Sequence, residues 1–116
     1  MTITLDQLVI FAVRGKNLEL AKERIEAGGN INYQDSKHGS ALLAAINNKD
    51  EGLLQLLIDN GVNLNQDNSH GICPLEIALH HSSSGIVKKL AWCGAQLNKK
   101  SRPHWQEKLE ACLRDS

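Results

Sequence analysis

The stretch AGGNIN at residues 27–32 is followed by two related stretches, NGVNLN at residues 60–65 and CGAQLN at residues 93–98. The second residue of each stretch is a glycine (Gly28, Gly61 and Gly94), and the three glycines are evenly spaced along the chain. A fixed period in this range is the mark of a repeat architecture. Because stacked repeats build a long continuous surface, the period also favours a protein that binds partners.

The composition is that of one small globular domain, and we predict a single domain over residues 1–116. Hydrophobic residues make up 41% of the chain and charged residues 22%, which is close to the average of globular proteins. Aromatic residues make up only 3%, so aliphatic side chains must supply most of the packing.

The charges balance, with 13 Lys and Arg residues against 13 Asp and Glu residues. Nucleic-acid binding needs a basic footprint and a membrane-surface helix needs a basic face, so neither partner is expected. The apolar run at residues 8–13 is too short to cross a bilayer, and Asp6 before it argues against a signal peptide. Three widely spaced cysteines (Cys73, Cys93 and Cys112) are typical of free thiols in a reducing compartment, which predicts a cytoplasmic protein.

The first predicted repeat is a pair of helices. Thr4 and Gln7 have the spacing of a capping box, which predicts a helix that begins after Thr4 and runs to about residue 13. A second helix is expected over about residues 18–27. It ends at Gly28, because glycine takes the left-handed backbone conformation without a Cβ penalty.

The later repeats follow the same plan. Ser40 is predicted to cap a helix that ends at about residue 47, and Asp50 to cap an apolar helix stopped by Gly61. Pro74 suits the first turn of the next helix, because its missing N–H costs nothing there. We place the units at about residues 5–32, 33–65 and 66–98, with a turn at 82–84 and a capping unit at 99–116 whose helix spans about 104–113.

A second motif accompanies the glycines. Residues 73–78 read CPLEIA, residues 40–45 read SALLAA and residues 7–12 read QLVIFA. These segments resemble, with decreasing fidelity, the Thr-Pro-Leu-His-x-Ala signature of the ankyrin repeat family, whose repeat length the spacing of the glycines also matches. The resemblance implies an all-α, ankyrin-type helix-turn-helix solenoid with about three repeats plus a C-terminal capping helix.

The chain departs from the family pattern at two kinds of position. The signature histidine is replaced by Leu43 and Glu76, and the usual glycine between the paired helices is replaced by Lys49 and Ser82. In the family this histidine helps tie the loop to the helices, so the loops are expected to be looser in this chain.

Members of this family generally bind other proteins through the loop tips and the inner, shorter helices. The resemblance therefore implies a partner protein, of unknown identity, that contacts the family's variable positions. These positions are Arg14, Ser36, Lys37, Gly39, Asn47, Asn48, Ser69, His70, Ile72, His80, His81, Arg102 and Pro103. Tyr33 and Trp105 join this set, because Trp, Tyr and Arg are enriched in interface hot spots.

Each aromatic residue of this set has a second interpretation. Trp105 either contacts the partner or covers the end of the stack, because terminal repeats need a cover. Tyr33 either contacts the partner or packs its ring on its own loop. Trp92 follows Leu90 on the outer helix of its repeat, and we expect it to pack in the core or the cap.

No metal or other cofactor is expected. A structural zinc site needs four nitrogen or sulfur ligands, and only His70 and Cys73 have a suitable spacing. The neighbouring His80 and His81 diverge by about 100° on a helix. No nucleophile, base and orienting group form a set, and no glycine-rich phosphate loop is present, so we do not expect an enzyme.

The sequence favours a non-enzymatic protein-protein interaction module. Since repeats and caps account for the chain, no effector domain is expected and its activity would be the binding itself. We expect a monomer that acts as a stand-alone stoichiometric binder or inhibitor, for example an immunity protein that neutralises a toxin or effector. The alternatives are an adaptor that joins two proteins and, in another class, a metal- or redox-responsive sensor using His70, Cys73, His80 and His81.

Overall fold

The computed structural model describes residues 2–81, 84–98 and 101–114. Within these ranges, helices form most of the structure and a single pair of two-residue strands accompanies them, as expected for an all-α fold. The helices are α1 (Leu5–Arg14), α2 (Leu18–Glu26), α3 (Ala41–Asn47), α4 (Glu51–Asp59), α5 (Pro74–His80), α6 (Ser84–Trp92) and α7 (Pro103–Arg114), and the strands are β1 (Gln34–Asp35) and β2 (Gly39–Ser40). None of these helices is long and apolar enough to cross a membrane.

The contacts within the chain divide it into two compact units, unit 1 (Met1–Asn63) and unit 2 (Leu64–Ser116). Unit 1 contains α1 to α4 and the strand pair, and unit 2 contains α5 to α7. The division falls beside the predicted end of the second repeat at residue 65. The single domain expected from the sequence stays a prediction.

The predicted helix starts are confirmed. The Thr4 side chain accepts a hydrogen bond from the Gln7 backbone N–H (3.2 Å), and the Gln7 side chain accepts one from the Thr4 N–H (3.0 Å). Ser40 caps α3, Asp50 caps α4, and Pro74 occupies the first turn of α5. Each cap satisfies a backbone N–H that has no partner within its helix.

The predicted helix ends are also confirmed. Gly28, Gly61 and Gly94 have φ angles of 102°, 80° and 109°, the left-handed region that glycine enters without a steric penalty. Lys16 and Lys49 share this region, with φ angles of 59° and 53°, although neither is glycine. Residues 82 and 83 of the third predicted turn lie outside the described residues.

A hydrogen bond donated by a loop N–H recurs with the period of the repeat. In each case a backbone N–H at the same repeat position donates to an acidic or amide side chain of the preceding loop or helix. The pairs are Asn30 to Asp6 (2.7 Å), Asn63 to Asn32 (2.7 Å) and Gln96 to Asn65 (2.8 Å). The first acceptor is a carboxylate on α1, whereas the two later acceptors are asparagine side chains of loops.

Aliphatic side chains form the core of each unit. In unit 1, α1 packs against α2 and α3, and α3 packs against α4. In unit 2, α6 packs against α5 and α7, and α5 packs against α7. The largest fully buried side chains are Val9, Ile10, Val13, Ile46, Leu53, Leu54 and Leu57 in unit 1, and Leu75, Leu79, Ile86, Val87 and Leu90 in unit 2.

The expectation that Trp92 packs in the core or the cap is wrong. Its side chain is 70% exposed, whereas Ile86, Val87 and Leu90 on the same helix are buried. Trp92 lies two positions after Leu90, and residues two apart on a helix point to different sides. Trp92 therefore lies outside the buried stripe of α6 that Ile86, Val87 and Leu90 form.

The strand pair was not predicted from the sequence. β1 and β2 pair antiparallel, with Gln34 opposite Ser40 and Asp35 opposite Gly39. Gly39 has a φ angle of 73°, which closes the tight connection without a Cβ clash. The resulting hairpin carries the first set of predicted contact residues.

Candidate partner-binding surfaces

A cavity of about 500 Å³ in unit 1 collects several predicted contact residues. Arg14, Lys37, Gly39, Asn47 and Asn48 all line it. They come from the end of α1, the hairpin tip and the end of α3. The remaining wall consists of His38, Ser40, Leu43 and Ala44. We call this site the unit 1 cavity.

Asn48 connects the two helix ends at this cavity. Its side-chain amide donates to the backbone carbonyls of Val13 (3.2 Å) and Arg14 (3.3 Å). Both acceptors belong to the last turn of α1, where carbonyls have no helical partner. Asn48 is therefore half-buried and engaged within unit 1, whereas Asn47 and Arg14 are exposed.

The Asp35 carboxylate organises the hairpin tip. One of its oxygens accepts the backbone N–H groups of Lys37 (3.0 Å) and His38 (2.5 Å). The other accepts the Tyr33 hydroxyl (2.9 Å) and lies 3.2 Å from Nδ1 of His38. One carboxylate therefore positions Tyr33, Lys37 and His38, while Ser36 remains exposed at the tip.

These hydrogen bonds change the pKa values of two groups. The backbone N–H of His38 stabilises the charged carboxylate and holds the pKa of Asp35 well below its ordinary value, with further contributions from the His38 and Tyr33 side chains. The pKa of Tyr33 is raised, mainly because its hydroxyl donates to Asp35 and would lose that bond on ionisation. The Tyr33 hydroxyl is thus bonded to its own loop and the residue is half-buried, while contact of its ring with a partner stays a prediction.

His38 is a cavity residue that the sequence analysis missed. Its ring packs edge-on against Phe11, with the ring centroids 4.9 Å apart. The available signal was its place between Lys37 and Gly39, two positions that the resemblance did assign. The position of its ring on the cavity wall depends on contacts with Phe11 of α1 and with Asp35, which the local sequence does not reveal.

The corresponding loop of unit 2 uses an amide where unit 1 uses a carboxylate. Asn68 occupies the position of Asp35 one repeat later, and its side-chain oxygen accepts the backbone N–H groups of His70 (2.8 Å) and Ile72 (3.0 Å). Ser69 and His70 are exposed, and Ile72 is half-buried. The predicted contact residues of this loop are therefore presented by an ordered turn.

A second group of predicted residues meets at the start of α7. The ring of Trp105 lies edge-on to His80 (6.1 Å between centroids), and His80 lies edge-on to His81 (5.7 Å). His104 packs on Trp105 at 4.5 Å, and Nζ of Lys108 lies 5.4 Å from the Trp105 ring centroid. We call these five residues the Trp105 cluster. The sequence analysis did not name His104, which directly precedes Trp105, or Lys108, which lies about one helical turn after it.

The surroundings of Trp105 are compatible with both of its interpretations. Its side chain is half-buried, while His80, His81 and His104 are exposed. Leu109, one turn later, is the residue of α7 that is buried. Arg102 is exposed and accepts the Trp105 backbone N–H through its carbonyl (3.0 Å), which orders the start of the helix.

The four residues considered for a metal or redox sensor do not form a ligand group. Cys73 is buried, with its sulfur 3.8 Å from the Ser101 hydroxyl, whereas His70, His80 and His81 are exposed. Across residues 2–81, 84–98 and 101–114, no three His, Cys, Asp or Glu side chains come together to hold a metal ion.

Comparison with protein families agrees with this geometry. A family model described as ankyrin repeats, three copies, matches residues 9–101 of the chain. A search of curated proteins finds no match. Such repeats are generally protein-protein interaction modules, and nothing in the comparison indicates catalytic activity. The family match, the period of the left-handed glycines and the repeated helical pairs lead to one conclusion: the chain belongs to the ankyrin repeat family.

Proposed function

We propose that the protein is a stand-alone stoichiometric binder that inhibits one partner protein by covering its functional surface, as an immunity protein covers a toxin or effector. The observation that carries this proposal is the Trp105 cluster. It combines a half-buried tryptophan with three exposed imidazoles and a lysine on one small surface.

The composition of the cluster suits an interface hot spot. Tryptophan is among the residues whose truncation most often weakens a protein complex, because its ring buries a large area at the centre of the contact. The neighbouring imidazoles supply hydrogen-bonding groups around that apolar centre. An aromatic anchor with a polar rim is the usual anatomy of a specific interface.

The contacts within the cluster also favour tight binding. Trp105 packs against His80, His104 and Lys108, so its ring has fewer conformations to lose on binding. Side chains held in place beforehand reduce the entropic cost of association. A stoichiometric inhibitor needs such affinity, because it must occupy its target at roughly equal concentration.

An adaptor role is the second candidate, and one observation favours it. A further cavity of about 430 Å³ lies on the outer helices α2 and α4 of unit 1, with Leu18 and Leu56 on its wall. Leu18 is a large apolar side chain that is 44% exposed on this surface. A second surface, built from residues outside the Trp105 cluster, is what joining two proteins requires.

The test is capture of partners by the tagged full chain from extracts of its native cells, followed by titration calorimetry with the purified partner. We expect one partner at a one-to-one ratio, whose activity falls when the complex forms. Trp105→Ala is expected to weaken this complex, whereas Trp92→Ala, which removes an exposed tryptophan outside the cluster, is expected to leave it unchanged.

Other outcomes would contradict the inhibitor role. Two partners that bind at once would favour the adaptor. Equal effects of Trp105→Ala and Trp92→Ala on the affinity of the complex would show that the Trp105 cluster is not part of the interface. Thermal unfolding of each variant, followed by helical circular dichroism, distinguishes a partner-contact role of Trp105 from a capping role. A loss of several kcal/mol of stability in Trp105→Ala, as for a truncated core side chain, would identify Trp105 as a cap residue.

A further inference from the structure

The wall of the unit 1 cavity carries positive but no negative side chains. Arg14 and Lys37 are exposed on it, and the half-buried His38 lies between the hairpin and α1. No aspartate or glutamate lines the cavity. In the part of the chain that the structure describes, neither Arg14 nor Lys37 lies within ion-pair distance of a carboxylate. Both cations are therefore available to a ligand.

The carboxylate of the hairpin, Asp35, is already engaged in hydrogen bonds within the hairpin. Asp35 uses both oxygens on the backbone of Lys37 and His38 and on the side chains of Tyr33 and His38. Its charge therefore stabilises the hairpin. Because Nδ1 of His38 is engaged with Asp35, Nε2 is the ring nitrogen that remains for a ligand.

We propose that the unit 1 cavity binds the carboxylate side chains of an acidic segment of the partner protein, with Arg14 and Lys37 as the charged contacts. This inference rests on the proposed protein-binding function and names the chemistry of the partner. The planar guanidinium of Arg14 can donate two parallel hydrogen bonds to one carboxylate, and the Lys37 ammonium supplies a second point charge.

The size and the remaining wall of the cavity fit this occupant. A volume of about 500 Å³ is within the usual range for sites that hold a small ligand, and a few amino-acid side chains occupy similar space. Leu43 and Ala44 offer apolar contact for the methylene groups of glutamate, and the exposed Asn47 amide offers a further donor.

A nucleic acid is the less favoured occupant. Nucleic-acid binding draws its affinity from many phosphate contacts spread along a basic surface. The cavity offers two permanent cations, and the chain as a whole has 13 basic and 13 acidic residues. Two cations match one or two carboxylates of a peptide better than they match an extended phosphate backbone.

The experiment uses the full chain and a fluorescent synthetic peptide of alternating glutamate and glycine, with binding followed by anisotropy. A matched peptide with glutamine in place of glutamate is the first control. We expect binding of the glutamate peptide only. Arg14→Gln is expected to weaken it about tenfold, the effect of losing one hydrogen bond to a charged group, and Lys37→Gln is expected to weaken it as well.

Arg114→Gln is the matched control variant, because Arg114 is an exposed arginine in the last turn of α7, in unit 2, and lines neither cavity of unit 1. It is expected to bind the glutamate peptide as the parent chain does. Helical circular dichroism of all variants reports whether each is folded. Two variants on the cavity keep the proposal testable if one of them fails to fold.

In these binding measurements, three results would overturn the inference: equal binding of the two peptides, no weakening in Arg14→Gln and Lys37→Gln, or tighter Arg14-dependent binding of an oligonucleotide than of the glutamate peptide. The peptide result does not depend on finding the partner. A captured partner that requires Trp105 but not Arg14 would overturn this inference and leave the proposed function intact. If the chain captures no protein, that result would instead contradict the proposed function.

Discussion

At the scale of single residues, backbone conformation and steric contact determine several local features. Lys49 has a φ angle of 53°, in the left-handed region, and Lys16 has the same conformation one repeat earlier, with a φ of 59°. For residues with a Cβ atom, this region costs roughly 1–2 kcal/mol. Both lysines occupy the turn between paired helices, so the surrounding hydrogen bonds, such as Asp50 N–H to the Ala45 carbonyl (3.1 Å), must offset that cost.

We predict that Lys49→Gly stabilises the protein by about 1 kcal/mol, because glycine removes the steric cost and loses only part of this gain to the entropy of the unfolded chain. Urea unfolding followed by circular dichroism measures the change. Lys49→Ala is the matched control: it removes the same charge but keeps a Cβ atom, so it is expected to give no gain. Equal stabilisation by both variants would assign the effect to charge instead of backbone conformation.

We predict that Gly29→Ala destabilises the protein by roughly 1–3 kcal/mol, the usual cost of overpacking a core. A Cβ atom at this position would lie 2.6 Å from Cγ2 of the buried Val9 and 3.0 Å from the Arg24 carbonyl oxygen. The φ angle of Gly29 is not left-handed, so steric contact and not backbone strain is the cause. The same unfolding experiment measures the effect.

Gly52→Ala is the control for Gly29→Ala. Gly52 lies in α4, and its added Cβ would meet only the Asp50 carboxylate oxygen, at 3.4 Å. Alanine favours helix over glycine by about 1 kcal/mol, so a modest gain in stability is expected there. If both variants shift stability in the same direction, the close packing of Gly29 against Val9 is not the deciding factor.

At the scale of elements, the hairpin of β1 and β2 depends on one ionised side chain. The folded pKa of Asp35 is lowered by its hydrogen bonds, first of all from the His38 backbone. A lowered carboxyl pKa adds stability above the unfolded pKa of about 3.9, and this contribution is lost as the pH falls through the lower folded pKa. The hairpin is therefore expected to weaken in acid, below about pH 4.

We predict that Asp35→Asn is less stable than the parent chain at neutral pH, and that this difference shrinks as the pH is lowered below about 4. The asparagine variant is expected to fold, because Asn68 serves the same role in unit 2 with an amide oxygen. The free energy of unfolding of both chains, measured by urea titration at neutral and acid pH, tests this. A difference that does not change with pH would mean that the charge of Asp35 contributes nothing.

At the scale of the whole molecule, the residues at which the helices begin and end were predictable. Thr4, Ser40 and Asp50 cap helices because their side chains reach backbone N–H groups a few residues away. Gly28 and Gly61 end helices because they adopt left-handed backbone. These effects act within one or two turns, so residue type and spacing are enough to predict them. The repeat period then predicted the order of helical pairs.

The candidate site was predictable only in part. The resemblance named Arg14, Lys37, Gly39, Asn47 and Asn48, and these residues do line one cavity. It did not name His38, whose place on the cavity wall depends on Asp35 and on Phe11 of another element. Whether the named residues contact a partner stays a prediction, because a surface does not reveal its ligand without a measurement of binding.

The sequence by itself determined the repeat period, the helix boundaries and the family, because capping, left-handed glycines and apolar stripes are local or periodic properties. Only the tertiary structure decided which surface residues come together. Trp92 is exposed, although the sequence predicted that it packs in the core or the cap, and Trp105 is packed among histidines. The physical reason is that burial and grouping depend on neighbours distant along the chain, and a side chain's own sequence context does not specify what packs against it.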